Sequence, residues 1–158
     1  MPIPDLSVDT NVLMHACNPN EGRCTDAIAF LTAMLAASAK LAIDSGFHID
    51  PAKNTSLIGG EYLQKLVPGS LAFSVITALA LSSRIAITSA NLPVQHNKKL
   101  VRAVANRRDR TFIKVCFNSN GKAFVSHDFA DFPAAKRKDI RKDFGIQIIE
   151  AGPAVPLL

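Results

Sequence analysis

The sequence predicts an α/β domain: a three-layer α/β/α sandwich around a central, mainly parallel, five-stranded sheet. Three observations carry this prediction. Short β-compatible runs alternate with longer stretches of helical periodicity along the 158 residues. The first two strands end alike, apolar residues delivering an aspartate to a polar turn, at Asp9 and at Asp44. No linker, repeat or low-complexity tract interrupts the pattern, so residues 1–150 read as one domain and 151–158 as a C-terminal tail.

Residues 5–9 (Asp-Leu-Ser-Val-Asp) form the first strand, which stops at the turn-forming Thr10-Asn11. Beyond the turn signal Asn18-Pro19-Asn20, residues 21–40 place Ala27, Ile28, Leu31, Met34 and Leu35 at helical spacing, with further apolar residues on the other face. Leu41-Ala42-Ile43 is the second strand and ends in Asp44-Ser45-Gly46. Gly59-Gly60 opens a helix over 61–66, closed by Pro68-Gly69, and 70–83 is another whose apolar surface is nearly continuous. Residues 84–88 read as the third strand. From Asn97 the pairs Leu100/Val101 and Val104/Ala105 recur four apart, and Phe112, Ile113, Val115 and Cys116 define a further helix after Asp109. A fourth strand over 122–126, a charged helix over 133–143 with proline in its first turn, and a fifth strand over 146–149 complete the order. Pro153 and Pro156 keep the tail from continuing a helix and place it along the surface.

Composition narrows the class of function. With 48% hydrophobic and 20% charged residues the chain is globular rather than disordered, and 18 Lys+Arg against 13 Asp+Glu leave a net charge of +5, which favours a polyanionic partner such as nucleic acid. Cys17, Cys24 and Cys116 form no C-x-x-C pair, and their odd number argues against a disulfide framework and for a reducing compartment. The N-terminus lacks the basic region of a secretory signal, and the uncharged runs 27–39 and 71–83 are too short to span a bilayer. The expectation is a cytoplasmic protein without a membrane partner.

In a parallel sheet the strand C-termini line one edge, where ligands bind at the topological switch point. Asp9, Asp44 and Asp128 fall at such ends, and Glu61 and Asp109 stand near helix starts beside them. Five acids on one rim of a basic protein repel one another unless a cation neutralises them, and hard oxygen donors select Mg²⁺ or Mn²⁺. Such ions activate water and stabilise charge on a phosphodiester, so hydrolysis of nucleic acid follows from the same arrangement. Lys98, Lys99, Arg102, Arg107, Arg108 and Arg110 form one basic cluster for the phosphate backbone, and Lys136, Arg137, Lys138, Arg141 and Lys142 a second. Each acid also has a plainer reading: Asp9 as an Asx turn or helix cap, Asp109 as an N-cap, Glu61 as a first-turn complement to the helix dipole. The lysine-rich helix likewise reads as a solvated face. His127 has no second histidine at ligand spacing, so zinc is not indicated; there is no G-x-S-x-G elbow, P-loop or G-x-G-x-x-G.

The ordered set of residues resembles the PIN domain, a metal-dependent nuclease family. Ser7-Val8-Asp9-Thr10-Asn11-Val12-Leu13 resembles its first-strand motif, and Glu61-Tyr62 with Leu66 the helix that carries its acidic glutamate. The segment from Asp109 to Cys116 is similar to its third acidic segment, Val125-Ser126-His127-Asp128-Phe129-Ala130-Asp131-Phe132 to its fourth-strand motif, and 144–149 to its last strand. The matches run in order from residue 6 to 150. An alternative placement of the third acid at Asn97-Lys98-Lys99-Leu100-Val101 breaks the set; Asp109 fits the spacing of a helix, a turn and a strand before Asp128.

The resemblance implies an endoribonuclease that uses Mg²⁺ or Mn²⁺. Asp9, Glu61, Asp109 and Asp128 would be the catalytic and metal-binding acids, with Asp131 as an outer member. Thr10 and Asn11 would hold Asp9, Ser126 would bond to the site or its waters, and Asp44 is a supporting residue brought to the same rim by its strand. RNA is the implied substrate, and many small bacterial members are toxins paired with an antitoxin protein. Members commonly dimerise, and the apolar stretch 71–81 offers a face for a second copy. Two other classes compete. A catalytically silent RNA- or protein-binding module would keep the acids as caps and turns and bind independently of metal. A small phosphate-ester hydrolase with an aspartyl-phosphate intermediate would want a second aspartate at position 11, which is Asn.

Overall fold

The computed structural model describes residues 1–158. Its centre is a five-stranded sheet of β1 (Asp5–Val8), β2 (Lys40–Asp44), β3 (Ile85–Thr88), β4 (Ala123–Val125) and β5 (Gln147–Ile149). The order is β3-β2-β1-β4-β5 and every pairing is parallel, so the expected α/β sandwich is what the chain forms. Strand order runs one way from β1 through β2 to β3, then reverses to β4 and β5 on the other side of β1. With right-handed crossovers, that reversal puts the early helices on one face and the later ones on the other. It also makes the C-terminal ends of β1 and β4 the switch point, where adjacent connections leave in opposite directions and open a crevice.

The connections carry α1 (Thr10–His15), α2 (Cys24–Ala36), α3 (Leu57–Lys65), α4 (Leu71–Leu81), α5 (Val94–Ala103), α6 (Arg107–Asn118), α7 (Ala134–Phe144) and α8 (Ala151–Ala154). α2 and α4 pack together, with α8 on α2; α6 covers β1, β2 and β4; α7 lies beside β5 and touches α5. α3 is the exception to the layering, because it sits at the sheet's C-terminal edge and touches both α1 and α6. Both central strands are buried: β4 is an apolar run, and in β1 the polar Ser7 between Leu6 and Val8 is buried with its hydroxyl donating to the Ala42 carbonyl at 3.0 Å. Phe112 of α6 stacks on Phe124 of β4 with ring centroids 5.3 Å apart, and Tyr62 of α3 leans on Phe112 at 6.4 Å. This aromatic chain fixes α3 and α6 relative to β4. None of the helices is long and apolar enough to cross a membrane.

Four readings of local structure change. The strand expected over 5–9 ends at Val8, and Asp9 is the N-cap of α1, a helix read from sequence as a turn because six residues show too little periodicity. α3 begins at Leu57, capped by Ser56, so Gly59-Gly60 lies inside the helix instead of opening it. α6 begins at Arg107 with Asn106 as its cap, which moves Asp109 from the N-cap into the first turn. The tail, expected to be non-helical and superficial, forms α8 and a 3₁₀ turn (Val155–Leu157) with Ala151 and Ala154 buried. Pro153 is tolerated because the first turn of a helix has no partner for the N–H that proline lacks.

Candidate active site

Asp9 leaves the end of β1 into the crevice and is buried beside the backbone. Its Oδ1 accepts the Asn11 N–H at 3.5 Å, a long capping contact, and its Oδ2 accepts the Ser126 hydroxyl at 2.7 Å. Ser126, at the end of β4, is fully buried and also accepts the Asp128 N–H at 3.1 Å. One hydroxyl therefore ties the two acidic strand ends together. Asn11 adds a second tie, its side-chain carbonyl accepting the His127 N–H at 3.3 Å. The Thr10 hydroxyl is buried and has no partner.

Glu61 arrives on α3, whose start is unusually well satisfied. Asp44 accepts the Ser56 hydroxyl at 2.5 Å and the N–H groups of Leu57 and Ile58 at 2.8 and 3.0 Å, while the Ser56 hydroxyl oxygen accepts the Gly59 N–H at 2.8 Å. Three of the N–H groups that a helix leaves unpaired at its start are thereby bonded. Asp44 thus supports the site by anchoring α3; both its oxygens are engaged there. Tyr62, next to Glu61, is fully buried and donates its phenol to the carbonyl of Val8, the residue before Asp9. Burial, with the charges of Asp9 and Glu61, raises that phenol well above its ordinary pKa, which keeps it a donor. Gly59 is required here by close approach, since a Cβ would stand 2.5 Å from Phe47 Cδ2 and 2.6 Å from Asn54 Oδ1.

Asp109 comes from the opposite layer, on α6. Its Oδ2 is buried without a hydrogen-bond partner. Burial, then the charges of Asp9, Asp131 and Asp128, then the close approach of the Asp131 carboxyl, raise its carboxyl to about 7. Burial raises Asp9 to about 6 against the lowering effect of Ser126 and Asn11, with the charges of Asp128 and Glu61 adding to the rise. Asp9 thus feels Asp128 and Glu61, and Asp109 feels Asp9, Asp131 and Asp128, across the switch-point crevice. Asp128 Oδ1 also accepts the Asp131 N–H at 2.8 Å, so Asp131 closes a turn at the exposed lip.

The donor set is carboxylate oxygen throughout, with buried, under-bonded atoms at Asp109 and Thr10, and that chemistry fits a hard divalent cation. No group of three or more His, Cys, Asp or Glu side chains is already gathered into a metal cage. His127 is turned away from the crevice: its Nε2 accepts the Ala151 N–H at 3.3 Å, which places its proton on Nδ1, 2.8 Å from His15 Nδ1. Burial, with His15 and Arg23 nearby, lowers its pKa to about 4, so it is neutral at pH 7.

The basic residues divide into free and committed groups. Lys98, Arg102, Arg107 and Arg108 are exposed, and Lys99 pairs with Asp143 at 3.5 Å. Arg110 is not a free cation for nucleic acid: it donates to the carbonyls of Val104 and Ala105, each at 3.2 Å, past the end of α5. Arg137 of the second cluster is likewise structural, donating to the carbonyls of Phe132, Ser126 and Asp128 and so holding the loop that carries Asp128. Sequence reasoning missed Arg137 and Tyr62 as positioning residues. Arg137 was masked by its cationic neighbours, whereas Tyr62 had a signal in being the one tyrosine of the chain, beside a candidate acid.

A cleft of about 350 Å³ opens beside Glu61, lined by Ser56, Leu57, Gly60, Glu61, Gln64 and Arg108. Two apolar hollows lie elsewhere, one against the edge strand β3 and one between Met14 and Val67, and none of the site carboxylates lines either. No family model, curated protein or solved structure matches the chain. Function therefore rests on the site.

Proposed function

We propose that the protein is a divalent-metal-dependent endoribonuclease of the PIN-domain type, with Asp9, Glu61, Asp109 and Asp128 holding Mg²⁺ or Mn²⁺. The observation that carries this reading is Asp109: a carboxylate drawn from the opposite layer into a crevice of other carboxylates, with Oδ2 buried and unpartnered. A purely structural acid would be expected to have donors, as Asp44 does. A bound ion would supply Lewis acidity toward a phosphodiester oxygen and a water of lowered pKa. The chain's own residues then have separable tasks. Ser126 orients Asp9 and Asp128, Tyr62 and Asp44 hold the helix that presents Glu61, and Arg108 with its exposed neighbours meets the phosphate backbone.

The test is cleavage of a mixed single-stranded RNA by the purified protein with Mn²⁺, beside Asp9→Asn and Asp109→Asn variants and a chelator control. Metal-dependent cutting that each variant abolishes supports the reading. Asp9→Asn cutting as fast as the parent refutes it. No cutting by the parent, with salt-dependent RNA binding indifferent to Mn²⁺, supports the silent module instead.

A further inference from the structure

The cleft beside Glu61 has a composition that the carboxylates do not explain. Its floor is Gly60, in the middle of α3, where glycine costs helix stability relative to alanine. Packing does not demand that glycine. A Cβ at Gly60 would meet only Asn54 Nδ2 at 3.5 Å, an ordinary contact, whereas the neighbouring Gly59 has no room for one. Gly60 thus leaves open space in the cleft rather than relieving a clash.

The walls carry three different chemistries. Leu57 contributes an exposed apolar side chain at the mouth. Gln64, one turn along α3 from Gly60, brings an amide that both donates and accepts. Arg108, in the first turn of α6, is exposed and enters none of the chain's three ion pairs, so its guanidinium is free to take an anion. At the inner end stands Glu61, shared with the carboxylate crevice. An aliphatic side chain, a two-way hydrogen-bonding amide and a free guanidinium around one void match the base, base edge and phosphate of a nucleotide. At about 350 Å³ the cleft lies at the lower end of the roughly 300–1,000 Å³ that small-molecule sites occupy, room for one splayed base and not for a base pair.

We propose that the cleft between α3 and α6 is the subsite for the unpaired nucleotide next to the scissile phosphate, with Gly60 as its floor, Gln64 reading the base edge and Arg108 holding the phosphate. The proposal rests on the nuclease reading for the word scissile, but the subsite itself binds a nucleotide whether or not the carboxylates cut.

The test has two readouts. Amide NMR of the parent is followed during titration with the four ribonucleoside 5′-monophosphates and, separately, with inorganic phosphate. The expected result is movement of residues 57–64 and of Arg108 by a nucleotide, more than by phosphate alone, with Gly60→Leu abolishing it and Arg108→Ala weakening affinity about tenfold. Gly60→Ala, checked by its melting curve, is the milder variant should leucine disturb α3. In cleavage, Gly60→Leu slows cutting of single-stranded RNA at least about tenfold, Gln64→Ala alters base preference, and the matching duplex is cut poorly by the parent. A parent that cleaves normally while Gly60→Leu and Arg108→Ala cleave and bind nucleotides unchanged overturns the subsite and leaves the nuclease reading standing. Nucleotide binding lost in Gly60→Leu, with no cleavage by the parent, supports the subsite and removes the nuclease. Shifts caused equally by phosphate, with no further effect of the base, overturn it.

Discussion

Replacing Asp9 by asparagine should stabilise the protein at neutral pH while removing its proposed activity. Asp9 is buried and its carboxyl is raised from 3.8 to about 6, chiefly by loss of water, then by the charges of Asp128 and Glu61. That rise corresponds to about 3 kcal/mol, at roughly 1.4 kcal/mol for each tenfold change in proton affinity. That value already contains the lowering effect of the hydrogen bonds from Ser126 and Asn11, and asparagine keeps an acceptor for the Ser126 hydroxyl, so the variant gains about 3 kcal/mol at neutral pH. For a domain of this size that raises the melting temperature by about 6–12 °C. The sign follows from linkage. The folded state binds the Asp9 proton more tightly than the unfolded chain does, so the associated stability is complete below the unfolded value near 3.8 and is lost as pH rises through about 6. Parent and Asp9→Asn, melted in chelator at half-unit steps from pH 4 to 8, should coincide at the acid end and separate across that window. A gap of the same size at pH 4 and 7.5, or a parent that is the more stable at 7.5, would refute the reasoning.

Ser126→Ala should cost about 2–3 kcal/mol in urea unfolding, because it strips Asp9 Oδ2 of its donor and Asp128 N–H of its acceptor at a fully buried position; a loss below about 0.5 kcal/mol would show that the two strand ends are held otherwise. Asp44→Ala should cost about 2–3 kcal/mol by leaving Ser56, Leu57 and Ile58 without their acceptor, with hydrogen exchange of α3 rising more than that of α2. Gly59→Ala should destabilise by about 1–3 kcal/mol through its approach to Phe47 and Asn54, while Gly60→Ala should be neutral or gain up to about 1 kcal/mol. Equal effects of the two alanines on the melting temperature would contradict the packing described for α3.

The sheet was legible because each strand is a short apolar run ending at turn chemistry, and such runs keep their identity wherever they sit. Helix starts were less legible. The true caps Ser56 and Asn106 lie ahead of the apolar stripes, and a stripe locates the middle of a helix better than its first turn. The tail was not legible because Pro153 stands in a first turn, where proline is tolerated, and the burial of Ala151 and Ala154, with α8 packed on α2, supplies the stability. In the site, Asn11 and Ser126 were legible as partners of Asp9, whereas the residues that position the other acids were not. The resemblance pointed to Ser126 as bonding to the site, but not to its tying both Asp9 and the Asp128 N–H, and nothing in the basic run over 136–142 separates Arg137 from its solvated neighbours. Those roles depend on contacts more than a hundred residues apart in one case and on a loop conformation in the other.

The plain reading of each aspartate as a cap or turn former and the reading as a site residue are separated by how completely the carboxylate is bonded. Asp44 receives three donors at 2.5–3.0 Å, and Asp5 accepts the N–H groups of Gly121 and Asn120 at 2.6 and 3.3 Å; both are finished as structural anchors. Asp9 caps α1 only through a 3.5 Å contact and keeps one strong donor, and Asp109 has an oxygen with none. An acid held short of its donors destabilises the fold, and local structure does not require it, since Asn106 already caps α6 and the Asp9 N–H to Val125 carbonyl bond at 2.8 Å already joins the end of β1 to β4. The under-bonded acids are those at the switch-point crevice, next to the cleft with a glycine floor and a free arginine. A ligand that brings both a cation for the acids and an anion for Arg108 would satisfy all of them at once, and a metal-bound polynucleotide is such a ligand.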